Sequence, residues 1–135
     1  MEFITTNGQK KVTINVAPFK EMCALKSEAM KCLKALEKGD LTNLKDGDNS
    51  KLLEQFIDVL ISADTSEDFN KALFKCLGRC VYDEFHAITP QFFEDNPEAI
   101  EDYYEIIANC VKVNLTPFFK SLITALQTSA KLMEK

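Results

Sequence analysis

The chain has 135 residues, 46 % of them hydrophobic and 27 % charged, with a formal net charge of −5, a composition far from that of disordered chains. No apolar run approaches the roughly 20 residues of a membrane span, and Met1-Glu2-Phe3-Ile4-Thr5 offers neither a basic region nor an apolar signal core, so secretion is not expected. The charge is uneven: seven Lys against four acids over 1–39 (+3), five Lys/Arg against sixteen acids over 40–111 (−11), and four Lys against one Glu over 112–135 (+3), which disfavours nucleic-acid binding and suits charge-complementary contacts between copies or with another protein.

Residues 3–16 alternate around Asn7-Gly8, with Phe3, Ile4 and Thr5 before it and Val12, Ile14 and Val16 after it. Both turn residues tolerate positive φ, so the stretch predicts a β-hairpin occupying 1–17. An isolated hairpin is marginal and must dock on the helices or on another chain.

Pro18 then opens a helix that Gly39 stops, apolar at Met22, Leu25, Ala29, Cys32 or Leu33, and Leu36. Residues 40–49 read as a polar loop, and a second helix follows over about 50–62. Thr65 and Asp68 resemble a capping box that opens a third helix, with Phe69, Ala72, Leu73, Cys76, Leu77, Cys80 and Val81 on its inner face. Thr89-Pro90 starts a short helical turn through Phe92 and Phe93.

Asn96-Pro97 and Thr116-Pro117 each read as an N-cap followed by proline at the first helical position. Glu98, Glu101 and Asp102 place negative charge against the positive helix end. The expected apolar faces are Ile100, Tyr103, Ile107, Cys110 and Val111 on one helix, and Phe118, Phe119, Leu122, Ile123 and Leu126 on the other. The expected architecture is therefore mainly α: one domain spanning 1–135, with four to six helices in the 18–135 body and an N-terminal β-hairpin packed on it. Adjacent aromatic pairs cannot all face one core, because neighbours on a helix lie about 100° apart. One member each of Phe92/Phe93, Tyr103/Tyr104 and Phe118/Phe119 should face a secondary cluster or an interface.

The reactive side chains form no recognisable centre. Five cysteines, Cys23, Cys32, Cys76, Cys80 and Cys110, all fall inside apolar helical patterns and read as small buried hydrophobes. Cys76-x-x-x-Cys80 with His86 lacks the second ligand pair of a structural zinc site. Asp46-x-Asp48-x-Ser50 opens like a calcium loop but has Lys51 in place of the glycine and Ile57 in place of the final glutamate. His86 is the single histidine, no partner motif serves a nucleophile, and the four glycines are isolated, so neither catalysis nor a cofactor is expected.

Several segments carry a resemblance. Val12-Thr13-Ile14-Asn15-Val16-Ala17-Pro18-Phe19, Leu73-Phe74-Lys75-Cys76-Leu77-Gly78-Arg79-Cys80, Ile88-Thr89-Pro90-Gln91-Phe92-Phe93, Asp102-Tyr103-Tyr104 and Asn114-Leu115-Thr116-Pro117-Phe118-Phe119 follow one another over most of the chain. In order and spacing they resemble the tail assembly chaperones of long-tailed, siphovirus-type bacteriophages and prophages.

The resemblance implies a non-catalytic protein of the bacterial cytoplasm, absent from the mature virion. It would bind and solubilise the tape measure protein and assist tail-tube polymerisation around it. A longer form made by translational frameshifting would contact the tail-tube protein. Two other readings suit the same features: a tail connector or terminator subunit retained in the virion, and a small cytoplasmic adaptor. Homo-oligomers are expected from the charge segregation and the hairpin edge, with Ile14, Val16, Phe118, Phe119 and Leu122 as candidate interface residues. No membrane or nucleic-acid partner is expected.

Overall fold

The computed structural model describes residues 1–34, 57, 67–118 and 121, with the backbone alone for 32–34. Over these residues the order is β1 (Glu2–Ile4), β2 (Lys11–Thr13), α1 (Phe19–Lys34), α2 (Glu67–Leu77), β3 (Val81–Tyr82), β4 (His86–Ala87), α3 (Pro90–Asp95), a 3-10 turn (Pro97–Asp102), α4 (Tyr103–Leu115) and a second 3-10 turn (Thr116–Phe118). The predicted loop at 40–49, the helix end at Gly39 and the face of the last helix beyond Phe118 lie outside the described residues. So does the predicted 50–62 helix, apart from Ile57, which is helical and buried.

The mainly helical architecture and the N-terminal hairpin agree with the sequence expectation, but the hairpin is half of a larger sheet. Four antiparallel strands lie in the order β1-β2-β3-β4. β1 and β2 pair with Glu2 opposite Thr13 and Ile4 opposite Lys11. β2 pairs in turn with β3, Val12 opposite Tyr82. Val12 of β2, Ile14 just beyond its end and Tyr82 of β3 enter the core.

Two expectations are corrected here. The hairpin does not close on a two-residue Asn7-Gly8 turn: residues 5–10 form the connection, Thr5 N–H donates to the Lys10 carbonyl, and the residue with positive φ is Gln9. The third helix does not reach Val81. It ends at Leu77, Gly78 and Arg79 turn the chain, and Val81 joins β3. A second hairpin follows, its turn made by Asp83 and Glu84 at φ 51° and 72°.

α1 packs on α2, and both pack on α4. The core joins Leu25 and Ala29 of α1, Phe69, Leu73, Cys76 and Leu77 of α2, and Ile106, Cys110, Val111 and Leu115 of α4, with Val12, Ile14 and Ile88. Each large side chain so enclosed contributes roughly 1.5–3 kcal/mol through removal from water. A run of rings then ties sheet to helices: Tyr82 to Phe92 at 5.1 Å, Phe92 to Phe93 at 5.2 Å, and Phe93 to Tyr103 at 5.1 Å. Phe92 and Phe93 are both buried, because one meets the sheet and the other meets α4; the Tyr103/Tyr104 pair divides into a half-buried and an exposed member as expected, and Phe119 of the third pair lies outside the described residues.

The caps are mixed. Thr89 Oγ1 accepts the Phe92 N–H at 3.1 Å and starts α3 as predicted. Asn96 and Pro97 take the N-cap and opening positions of the next segment as predicted, but the Asn96 side chain makes no capping bond there; its amide donates back to the Phe92 carbonyl at 3.0 Å and closes α3. Ile100, expected on the inner face, is exposed, since the 3-10 turn shifts the phase and sends Ala99 and Asp102 inward. Thr116 likewise donates its hydroxyl back to the Lys112 carbonyl.

Candidate functional site

Two buried polar side chains of the 102–114 region hold the N-terminal segment in place. The Asp102 carboxylate accepts the Gly8 N–H at 3.0 Å through one oxygen and the Tyr82 hydroxyl at 3.0 Å through the other. A Cβ at position 8 would overlap that carboxylate, so glycine is needed there for close approach. Around this contact the Thr6 N–H donates to Glu105 and the Asn7 amide donates to the Glu101 carbonyl. At the far end of α4, buried Asn114 accepts the Ala17 N–H at 2.9 Å and donates to the Cys110 carbonyl. The hairpin is thereby fastened to α4 at both of its ends. In the sequence Asp102 reads as a helix-dipole charge and as the start of the Asp102-Tyr103-Tyr104 segment; its partners lie 94 and 20 residues away, beyond local pattern.

The candidate interface residues separate. Ile14 is 1 % exposed and belongs to the chain's own hydrophobic core; it presents no surface. Val16 is 59 % exposed. Phe118 is half-buried, and its ring lies 6.4 Å from that of Phe19, which is itself 72 % exposed. Lys26 sits over the Phe118 ring at 5.3 Å, a cation–π contact. Phe119 and Leu122 lie outside the described residues. In the sequence Phe19 reads only as the residue after Pro18 at a helix start and as the end of the Val12–Phe19 segment, with no local signal for exposure.

A concavity runs along the outer face of α2. Glu67, Asn70, Lys71, Phe74 and Lys75, spaced three and four apart, line it with Pro90 at the start of α3, enclosing about 550 Å³. Phe74 and Pro90 supply its apolar floor, and the aliphatic stems of Lys71 and Lys75 extend it.

Electrostatics outside these features are structural. Glu21 and Arg79 form a two-pronged pair at 2.9 and 3.2 Å that joins α1 to the turn after α2. The guanidinium holds the Glu21 carboxyl below its ordinary value. Asn15 donates to the Arg79 carbonyl, adding the hairpin to the same junction. Cys76, Cys80 and Cys110 are buried, as their apolar spacing suggested. Burial pushes the Cys76 thiol up to about 12. The hydrogen bond from Cys110 lowers Cys80, and the same pairing together with burial raises Cys110. Among the described residues no group of three or more His, Cys, Asp or Glu side chains is arranged to hold a metal ion, and no helix is long and apolar enough to cross a membrane. His86 is exposed, with its ring 5.6 Å from Phe92.

A family model described as phage tail assembly chaperone protein, TAC, matches residues 6–127. No curated protein and no solved structure matches the chain. The match covers residues 6–10 of the hairpin connection, every described helix and the Thr116-Pro117 segment, and the chain belongs to the phage tail assembly chaperone family.

Proposed function

We propose that, as a tail assembly chaperone, this protein binds the tape measure protein, keeps it soluble before the tube encloses it, and assists tail-tube polymerisation around it. The observation that carries this reading, beyond family membership, is the groove along α2 with Phe74 and Pro90 at its floor. An amphipathic helix recognised in a groove presents apolar residues at three- and four-residue spacing, and a long helical client repeats such stripes. Charged residues at the rim, Glu67, Lys71 and Lys75, keep the empty groove soluble and the contact reversible. The protein acts by shielding, without catalysis, cofactor, nucleic acid or membrane. It works in the cytoplasm of the bacterial host as a homo-oligomer, and a longer frameshifted form contacts the tail-tube protein.

Co-purification with the tape measure protein tests the pairing, and mass spectrometry of purified virions tests the role. A chaperone is missing from the finished particle; a connector or terminator subunit is present at fixed copy number. Recovery in virions at fixed stoichiometry would replace the chaperone reading by the structural one.

A further inference from the structure

We propose that the α2 groove takes its client in one direction only. The bound segment is two turns of an amphipathic helix lying antiparallel to α2, with its acidic N-terminal end over Lys75 and its basic C-terminal end over Glu67. The proposal rests on the groove binding proposed above and adds the charge pattern and direction of the bound segment.

The groove is charged at both ends, with opposite signs. Glu67, Lys71 and Lys75 follow one another at four-residue spacing, so they form a single row along α2, with Asn70 and Phe74 in the row beside it. Glu67 and Asp68 begin α2, and Lys75 lies in its last turn. The stretch from Glu67 to Lys75 measures roughly 12 Å at about 1.5 Å per residue, the height of about two helical turns.

Both end charges can be engaged from outside. Lys75 is exposed and has no acidic partner among the described residues. Glu21, whose carboxylate feels Lys75, is held by Arg79 through two hydrogen bonds. Glu67 meets Lys71 at 3.9 Å with both side chains largely exposed, a contact that water and salt screen. Asp68, also exposed, adds a second negative charge to the same turn. The floor of Phe74 and Pro90 carries no charge, so it accepts an apolar stripe in either direction. Direction comes from the charged row.

Helices favour acidic side chains in the first turn and basic ones in the last, where each opposes the partial charge of the helix end. α2 has this pattern itself. A client helix of the same ordinary pattern therefore meets α2 opposite charge to opposite charge only when the two run antiparallel. Run parallel, it would bring acid to Glu67 and base to Lys75, and like charges brought together across a contact repel. The rim charges are exposed, so they select a direction without making the contact permanent, which suits a client that must later be released to the tube.

The test uses two synthetic peptides of about 15 residues, long enough for four turns, with one leucine stripe at three- and four-residue spacing. One carries Glu in its first turn and Lys in its last; the other has the two exchanged. A hydrocarbon staple on the polar face keeps both helical. Fluorescence anisotropy with the full wild-type chain should give the acid-first peptide a Kd about fivefold lower than the base-first one. The full chain carrying both Glu67→Lys and Lys75→Glu keeps its net charge and should reverse the preference; a thermal melt matching wild type establishes that it folds. A benzophenone on the first turn of the acid-first peptide should crosslink to wild type beside Lys75 rather than beside Glu67, a readout that does not depend on the variant.

Equal affinity for the two peptides overturns the proposal. So do a folded double variant that keeps the wild-type preference, and crosslinks spread evenly over both ends of α2. A groove occupied by a second copy would refuse both peptides, and that result overturns it too. Soluble yield of the tape measure protein is read separately. If the peptide experiment fails while wild type still solubilises the client, the functional reading stands and the direction of binding falls. The reverse pattern leaves the polarity of the groove and removes the function.

Discussion

The Asp102 carboxylate lies in the core between the backbone of the first hairpin and the side chain of the second, accepting the Tyr82 hydroxyl at 3.0 Å. Neither the carboxylate nor its donors Gly8 and Tyr82 can be changed independently. Removing the acceptor leaves two enclosed donors unpaired at about 1–3 kcal/mol each. Asp102→Ala should therefore cost roughly 2–5 kcal/mol in urea unfolding, and Tyr82→Phe about 1 kcal/mol. A double-mutant cycle over the pair should return a coupling of about 0.5–3 kcal/mol. Additive losses would place Asp102 outside the network.

Gly8→Ala meets the same carboxylate from the backbone side. Asp102 cannot swing away without releasing Tyr82, so the substitution should destabilise by about 1–3 kcal/mol, as overpacking does. Combined with Asp102→Ala, the added penalty of the Gly8 substitution should largely vanish. A penalty that persists unchanged would mean the conformation at position 8, rather than the close approach, requires glycine.

Acid should weaken the α1–α2 junction. Arg79 holds the Glu21 carboxyl below its ordinary value, so the pair's contribution is complete above that value and is lost as pH falls through the lowered one. The stability difference between wild type and Glu21→Gln should be present at neutral pH and shrink as pH falls below the ordinary carboxylate range. A difference that is flat with pH would assign the effect to packing.

Thiol labelling distinguishes core cysteines from surface ones. Cys23 is partly exposed, whereas burial and hydrogen bonding keep Cys76 and Cys110 protonated. In native protein, maleimide followed by peptide mass mapping should modify Cys23 well before either of these two. Early modification of Cys110 would contradict the packing of α4.

The parts of the fold legible in the sequence are those set by local chemistry. The alternation around Val12 and Ile14, the Thr89 cap and the Phe69–Leu77 stripe each leave a pattern within one element. The second hairpin was hidden because Cys76, Leu77, Cys80 and Val81 continue a helical spacing, and because its turn uses Asp83 and Glu84 where glycine or asparagine is the usual signal. Left-handed backbone at non-glycine residues is held there by tertiary contacts: the Asp83 N–H donates to the Lys11 carbonyl, and Lys10 and Lys11 pair with Asp83 and Glu84. Of the candidate surface residues, Val16 is exposed and Phe118 half-buried. Ile14 was misplaced because alternation specifies which residues share a face but not which face is covered.

Soluble yield of the tape measure protein, co-expressed with this chain from the same tail gene cluster, tests the chaperone function most directly. Wild type should raise the yield severalfold and co-purify with the client. Lys71→Trp, which fills the α2 groove from an exposed position, and Phe74→Lys, which makes its floor polar, should abolish the gain while the variants themselves remain folded. A tape measure protein that is equally insoluble with and without wild-type chaperone would contradict the function. A gain that survives both substitutions would move the client away from the groove.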